Sequence, residues 1–591
     1  MKPFDLLLNH WLVERLFCGE LFLWRNGEMA DIAAVIRLAQ FLEPIQSVVG
    51  KAAAALARTC SVNGKIDPYQ LDQHQLASYE LALIYAELRA AITANEASTE
   101  GAPELQQSLC NLYIANAIAS IKGRLEPLLP DFGLDQTEFD AVFASDNLRA
   151  SLRFHGEPAR LANIGQAVID CGGDTGQLVL DEEKLMMQDA FQRIAADVIK
   201  PLAEDIHRQD LTVPETILQP LREMGVFGLS VPEKFGGTAP DDQEDNLTMI
   251  VVTEALSEAS LAAGGSLITR PEILTRALLS GGTEEQKSHW LPQIAAGSKL
   301  CGIAITEPDY GSDVAALSLK AVRTEGGWLL NGAKAWCTFA GKAEVLFVIA
   351  RTESDKSLGH KGLSALLVEK PSTEDHEFTA EQEQGGRLIG KAIPTIGYRG
   401  MHSYDLAFED YFVPDGNLIG GEEGLGKGFY LAMEGLTGGR IQTAARASGV
   451  MRAAMGAAAS YSQDRKVFGV PLGSYQLSQV KMARMAAQVA ACRYFTYSVG
   501  RLLDAGQGKM EASLVKLFAC RSAEWITREA LQIHGGMGYA EETPVSRYFV
   551  DARVLSIFEG AEETLALKVI ARELLNHALR ADALRESGVQ S

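Results

Sequence analysis

Cysteine is scarce in this sequence, and its spacing matches no structural use. The eight cysteines among 591 residues include no Cys-x-x-Cys pair and no cluster with histidine. A disulfide framework or a structural zinc site would need such clusters. We therefore expect no metal, and a reducing compartment, the cytoplasm, fits the chain best.

Positive charge and long apolar runs are also in short supply. Lysine and arginine number 54 against 76 aspartates and glutamates, which gives a net charge of −22. This excess repels nucleic-acid phosphates and anionic lipids, so we expect neither nucleic acid nor a membrane among the partners. No segment reaches the roughly 18 uninterrupted apolar residues of a membrane-spanning helix. The apolar start, Met1–Trp24, is interrupted by charged residues and lacks the cleavage site of a signal peptide.

The apolar residues that are present repeat with two different periods. Helical spacing dominates the first 165 residues, for example in Leu76–Asn95 and Leu105–Leu125, and the glycine-rich stretch Gly165–Gly176 predicts a linker. Helical spacing then continues to about residue 300. Between Ile303 and Pro414 the period changes to two, and Asn331–Gly332 predicts a hairpin turn.

The helical period returns after the strands and holds almost to the end of the chain. We therefore predict a mainly α protein with a central β-domain. Its predicted parts are an N-terminal helical extension with linker (1–175), a helical domain (176–300), the β-domain (301–415) and a C-terminal helical bundle (416–591).

Two segments of the β-domain carry residues suited to a flat, phosphorylated ligand. Ala304–Asp313 (AITEPDYGSD) places hydroxyls beside a glycine turn, where they can donate to phosphate or carbonyl groups. Asn331–Gly341 (NGAKAWCTFAG) adds Trp336, whose apolar face suits a ring system. Taken separately, the same residues also fit ordinary β-turns and a core tryptophan.

Three segments near the C-terminus continue the pattern. Asp464–Gln476 (DRKVFGVPLGSYQ) offers an arginine fork suited to a pyrophosphate. Leu531–Ile557 contains adjacent glycines that let the backbone approach a ligand closely. Phe558–Gly560 then presents a glutamate before a glycine, an arrangement that in isolation is more often a helix N-terminus than a catalytic base.

Together with Leu218–Gly237, these segments resemble, in order, the signature segments of the acyl-CoA dehydrogenase family, from TEPxxGSD to the catalytic YEG turn. The resemblance covers the chain from about Leu180 onward. It implies a helical domain, a β-barrel-like domain and a four-helix bundle, here preceded by an extra helical domain. It also implies FAD, an acyl-CoA substrate, electron transfer to an electron-transferring flavoprotein, and a homodimer or homotetramer. An acyl-CoA oxidase on the same scaffold is the alternative. A relative adapted to bind nucleic acid would need a basic C-terminal stretch, which is absent.

The same resemblance implies a set of cofactor contacts. Thr306 and Thr338 would bond the edge of the flavin ring, Trp336 would cover the ring, and Arg465 and Gln476 would reach the FAD of a neighbouring subunit. The full set of FAD contacts implied by the resemblance is Thr306, Ser312, Trp336, Thr338, Arg465, Phe468, Gln476, Gln532, Gly535 and Gly536.

By resemblance, Glu559 is the catalytic base. A thioester α-proton is weakly acidic, so its removal needs donors on the carbonyl oxygen. In the family these are the base's own N–H and a flavin ribityl hydroxyl, while a hydride leaves the β-carbon for FAD. The position of an alternative family base holds Gly439, which cannot act as one. Arg440, Gly560 and Ser312 are expected on the substrate side. One departure is Ala561, where the family commonly has a threonine that helps hold the cofactor.

Arg270–Pro271 is unusual in a helix expected to line an acyl pocket. A guanidinium there could bind a substrate carboxylate with paired hydrogen bonds, which predicts a short, branched dicarboxylic acyl-CoA. The alternatives are a surface arginine paired with Glu272 or Glu254, and a short or branched monocarboxylic substrate. In a neighbouring loop, the bulky Tyr398, Met401 and His402 either narrow the pocket or pack as ordinary loop residues.

Overall fold

The computed structural model describes residues 38–99 and 101–586, so the predictions for Met1–Trp24 lie outside the described residues. From Leu38 onward the described residues of the N-terminal part are mainly helical, as predicted for that stretch. Its helices pack mainly on the C-terminal bundle and not on the sheet. They are α1 Leu42–Thr59, α2 Pro68–Gln73, α3 Gln75–Ala97, α4 Glu104–Leu125, α5 Gln136–Phe143, α6 Asp146–His155 and α7 Pro158–Asp170.

The predicted linker begins later than the glycine pattern indicated. Gly165 lies within α7, and only the residues after Asp170 leave the helix. A Cβ at Gly165 would lie 1.8 Å from the backbone oxygen of Gln479. The glycine therefore permits two helices to approach closely, which the sequence alone does not distinguish from linker flexibility.

A second helical part precedes the sheet. Asp181 caps its first helix by accepting the N–H of Lys184, and Thr283 and Gln286 form a capping box at its last helix. The helices are α8 Glu182–Ile194, α9 Lys200–Arg208, α10 Glu215–Glu223, α11 Asn246–Ala259, α12 Thr269–Gly281 and α13 Glu284–Ala295.

One curled, mostly antiparallel sheet forms the middle of the chain. Its order is β1-β4-β2-β3-β8-β7-β6, with β5 also paired to β4. Strands β4 and β5 are almost entirely buried, whereas β3 and β8 alternate between core and surface. The strands are β1 Cys301–Ala304, β2 Lys320–Thr324, β3 Gly327–Thr338, β4 Val345–Arg351, β5 Leu363–Glu369, β6 Glu377–Glu381, β7 Arg387–Ala392 and β8 Ser403–Pro414.

The hairpin turn predicted at Asn331–Gly332 is wrong. Both residues lie inside β3, opposite an irregularity in β8, and the tight turn comes earlier, between β2 and β3. The Asn331 side chain pairs with Asp410 by accepting its N–H at 3.0 Å and donating to its carboxylate at 2.9 Å. The extra residue of this bulge lies in β8, where Asp410 has a positive φ, and a bulge uses the same residue types as a turn.

Long helices complete the fold and confirm the predicted fold class. α14 Gly428–Asp464, α15 Gln476–Asp504 and α16 Lys509–His534 pack against one another and against the final helical run. The remaining elements are α17 Gly536–Tyr539, α18 Pro544–Val554, α19 Glu562–Thr564, a π-helical segment Leu565–Ala571 and α20 Arg572–Glu586. No helix in the described ranges combines the length and apolar character that crossing a bilayer demands.

Candidate active site

The glutamate predicted as the base stands in a tight turn between α18 and α19. Glu559 and Gly560 both have left-handed backbone conformations, with φ values of 55° and 104°. Such a φ is strained for a glutamate, so the surroundings must hold it. Lys516 on α16 does so by donating from Nζ to the carbonyls of Phe558 at 2.7 Å and Gly560 at 2.5 Å.

The Glu559 carboxylate faces the helix that carries the alternative base position in the family. Its Oε2 is buried and has no hydrogen-bond partner among the described residues. A Cβ at Gly439 would lie 2.7 Å from this oxygen. Gly439 therefore leaves room for the carboxylate, and a side chain at that position would displace it.

Basic side chains surround this carboxylate. Burial lowers the pKa of Arg440, Arg446 and Lys516, and the negative charge of Glu559 acts in the opposite direction on all of them. Arg440 and Arg446 come from α14, while Lys516 comes from α16. The enclosure is thus electropositive and favours a ligand that carries or develops negative charge.

Two of the arginines meet at one serine. Arg270 donates to the backbone oxygen of Ser266 at 2.7 Å, and Arg446 donates to its hydroxyl at 3.4 Å. The two arginine residues are 5% and 0% exposed, and burial raises the cost of an unpaired charge. Within the described part of the chain, neither makes an ion pair with a carboxylate.

The surface pairing considered for Arg270 is therefore wrong. Glu272 pairs with Arg276 at 2.8 Å, and Glu254 pairs with Arg452 and Arg493 at 3.0 and 2.9 Å. Those carboxylates already have cationic partners, and the hydrogen bonds of Arg270 go to neutral groups, the Ser266 carbonyl and the Tyr398 hydroxyl.

An aromatic pair connects the arginines to the catalytic turn. The Tyr398 hydroxyl accepts from Arg270 at 3.1 Å, and the Tyr398 ring meets the edge of Phe558 with centroids 5.5 Å apart. The Arg446 guanidinium lies over Phe558 at 4.7 Å. Arg270, Arg446 and Glu559 thus border one enclosure, although their positions in the sequence are far apart.

The loop that carries Tyr398 divides its side chains between different surroundings. Met401 is buried in the main core, and the His402 ring lies 3.2 Å from Asp210 and beside His376. His402 therefore contacts groups other than Arg270 and Glu559, and of the bulky residues considered, Tyr398 is the one that borders the arginines.

The β-domain carries the residues predicted to contact the flavin ring. Thr338 shares a hydrogen bond with Ser403 at 2.9 Å, and Trp336 is 57% exposed in a left-handed conformation. A cavity of about 530 Å³ lies beside this tryptophan, within the usual range for ligand sites. The Thr306 carbonyl bonds to the N–H of Ala335, which joins the two signature segments.

Ser312 links this group to the catalytic turn. Its hydroxyl accepts from Thr564 at 3.1 Å. Thr564 follows the turn by a few residues, and it supplies a hydroxyl close to the place where Ala561 lacks one. The sequence analysis did not single out Thr564. The signal that could have found it is a threonine three residues after Ala561, the position where the family commonly has one.

The remaining predicted cofactor residues lie on the surface. Phe468 is 95% exposed, and a Cβ at Gly535 or Gly536 would meet no atom within 4 Å. Large exposed aromatic side chains and open glycine backbone suit a covering ligand or subunit. With the hydroxyls and the exposed ring of Trp336, this donor set fits FAD. The exposed members of the set are Arg465, Phe468, Gln476, Gln532, Gly535 and Gly536.

Family models match most of the chain after the extension. The models for the N-terminal, middle and C-terminal domains of acyl-CoA dehydrogenase match residues 181–298, 302–411 and 426–575. The chain belongs to the acyl-CoA dehydrogenase family. This confirms the resemblance seen in the sequence, and it makes the protein an FAD-dependent oxidoreductase that acts on the CH–CH group of an acyl-CoA.

Individual relatives differ in how much of this acyl-CoA dehydrogenase they match. A (2S)-methylsuccinyl-CoA dehydrogenase of Cereibacter sphaeroides is 35% identical over 90% of the chain and 97% of its own length. An acyl-CoA dehydrogenase of Bacillus subtilis is also 35% identical, over 67% of the chain and 98% of its own length. The structure of butyryl-CoA dehydrogenase from Megasphaera elsdenii is 30% identical, with a TM-score of 0.61, and covers 68% of the chain and 100% of its own.

Proposed function

We propose that this acyl-CoA dehydrogenase oxidises a short, branched dicarboxylic acyl-CoA, (2S)-methylsuccinyl-CoA, to mesaconyl-CoA. The observation that carries the proposal is the meeting of Arg270 and Arg446 at Ser266 without an acidic partner from the described chain. A substrate carboxylate would supply the missing negative charge. The similarity to a methylsuccinyl-CoA dehydrogenase, which extends over most of the N-terminal part, supports the same substrate.

The reaction would begin at Glu559, whose carboxylate and backbone N–H both act on the thioester. Glu559 takes the proton from the carbon next to the thioester, and the N–H of Glu559 donates to the thioester oxygen as negative charge develops there. Arg270 and Arg446 hold the far carboxylate and fix the acyl chain between them and Glu559. Arg440 and Gly560 border the same enclosure. When bound, FAD accepts the hydride that leaves the neighbouring carbon.

The cofactor would be held by two groups of residues. Thr306, Ser312, Trp336 and Thr338 hold the flavin end within one subunit. Arg465 and Gln476 reach the FAD of a neighbouring copy, so the enzyme works as a homodimer or homotetramer. The other exposed residues of the set, Phe468, Gln532, Gly535 and Gly536, also contact the cofactor.

The wider setting belongs to the same proposal. The four parts, 1–175, 176–300, 301–415 and 416–591, act as extension, helical domain, β-domain and bundle. Electrons leave FAD for an electron-transferring flavoprotein, in the ethylmalonyl-CoA pathway. The described cysteines are free thiols, as a reducing cytoplasm would keep them.

Anaerobic mixing with acyl-CoA thioesters tests the substrate. The FAD-loaded enzyme is mixed with methylsuccinyl-, butyryl- and isobutyryl-CoA while the flavin absorbance is recorded. We expect fast bleaching with the first compound only. Equal bleaching by butyryl-CoA would contradict the dicarboxylic assignment and favour a monocarboxylic substrate. Rapid peroxide formation in air without a mediator protein would instead indicate an oxidase.

A further inference from the structure

Lys516 is a deeply buried cation whose ammonium contacts the backbone of the catalytic turn. It is 1% exposed, and its ammonium donates to the carbonyls on both sides of Glu559, at Phe558 and Gly560. No carboxylate of the described chain lies within ion-pair distance of its Nζ. The hydrogen bonds of this buried charge therefore go to the backbone of the catalytic turn.

The Phe558 carbonyl and the Glu559 N–H belong to one peptide unit. In a trans peptide these groups point in opposite directions. Lys516 thus lies behind the peptide, and the N–H points away from it. Among the described residues, no acceptor pairs with this N–H, so a free donor stands beside the Glu559 carboxylate.

A donor at this position matters for the chemistry of the site. Removal of a proton next to a thioester places negative charge on the thioester oxygen, and a fixed N–H directed at that oxygen stabilises the charge. A peptide whose carbonyl accepts from an ammonium is polarised, so its N–H becomes a stronger donor. The lysine charge acts through a buried, low-dielectric path, in which electrostatic effects are larger than in water.

We propose that Lys516 is a positioning residue that polarises the Phe558–Glu559 peptide and thereby strengthens the Glu559 N–H as a donor to the substrate's thioester oxygen. Lys516 neither gives nor takes a proton in this role. The inference rests on the proposed function only in placing a thioester beside Glu559, and it does not depend on the acyl group.

Substitutions can separate the charge of Lys516 from its hydrogen bonds. Lys516→Met removes both, whereas Lys516→Gln keeps amide donors for the turn and loses the charge. Lys370→Met is a matched control, because Lys370 is also buried and donates to two backbone carbonyls, of Gly341 at 2.8 Å and Pro371 at 2.7 Å, within the β-domain. It reports the general cost of losing a buried ammonium.

Each variant is loaded with FAD and reduced anaerobically by the acyl-CoA that reduces the wild type fastest. The Raman carbonyl stretch is then recorded for the bound product, mesaconyl-CoA or crotonyl-CoA. We expect Lys516→Met to slow flavin reduction about tenfold to a hundredfold. This loss is at most as large as the loss caused by removing one oxyanion donor completely. The substrate dissociation constant changes little, and the carbonyl stretch moves to higher wavenumber. Lys516→Gln behaves likewise, and Lys370→Met leaves both readouts unchanged.

Two results would overturn the inference. One is a wild-type rate and stretch in Lys516→Gln, which would reduce the lysine to a support for the turn. The other is an unchanged rate in Lys516→Met. If Lys516→Met does not fold with FAD, the rate of flavin reduction and the carbonyl stretch of Lys516→Gln decide whether the inference holds. In either case the substrate test above stands separately, because it uses the wild-type enzyme.

Discussion

The two ends of the site are built in opposite ways. At the acyl end, Arg446 and Lys516 are 0% and 1% exposed. At the cofactor end, Trp336 and Phe468 are 57% and 95% exposed. The acyl end can fix its geometry before any ligand arrives. The cofactor end presents exposed apolar rings, which suit a covering ligand or subunit. Chemistry and specificity should therefore depend on the first end, and assembly on the second.

Glu559→Gln should have the largest effect, and this effect should be confined to the acyl end. The amide keeps the volume of the side chain and removes its basicity, so flavin reduction should fall about a thousandfold or more. FAD content should stay at the wild-type level, because the cofactor end is untouched. Both are read from one sample by absorbance and stopped-flow reduction. Near-normal reduction would exclude Glu559 as the base.

Removal of one arginine should act on specificity at the same end. Arg270→Met and Arg446→Met each leave the other guanidinium alone with the substrate carboxylate. We expect reduction by methylsuccinyl-CoA to fall about a hundredfold, the scale of losing one partner of a buried charge pair. The residual rate with butyryl-CoA is the internal control and should change far less. An equal loss with both thioesters would mean that the arginines are structural.

Arg465→Ala should weaken the cofactor end of the site. Loss of a charge-assisted contact to the pyrophosphate should weaken FAD binding about tenfold. Excess FAD should restore the rate of flavin reduction, which no variant of the acyl end should show. Lys466→Ala, at the next exposed position along the chain, is the matched control. FAD retained on gel filtration is the measurement, and unchanged retention would remove Arg465 from the cofactor site.

Some residues of the site stand in motifs that can be recognised in the sequence, and others do not. Trp336 and Glu559 stand in segments whose order and spacing are readable along the chain. Arg446 and Lys516 were missed, because only folding brings them to Ser266 and Phe558, and no local spacing links those positions. Asn331–Gly332 was misread for a related reason. A turn and a bulge use the same residues, and the pairing with Asp410 that decides between them is not local.

The smallest expected effect concerns the loop that places Tyr398 against Arg270. Asp551 accepts the Tyr398 N–H at 2.6 Å, and burial raises the pKa of this aspartate to about 6, although Arg547 opposes the shift. A carboxyl with a raised folded-state pKa stabilises the protein fully below its unfolded pKa. It loses that contribution as the pH rises through about 6.

Asp551→Asn keeps the acceptor and removes this titration. The melting temperature of the wild type minus that of the variant should therefore be larger at pH 5 than at pH 7.5, by about 1 °C. Titratable groups elsewhere in the molecule are present in both proteins and cancel in the difference. Asp410→Asn, at an exposed position in β8, provides the reference for an aspartate at the surface. A difference that does not change with pH would mean that Asp551 holds the Tyr398 loop as a permanently charged group.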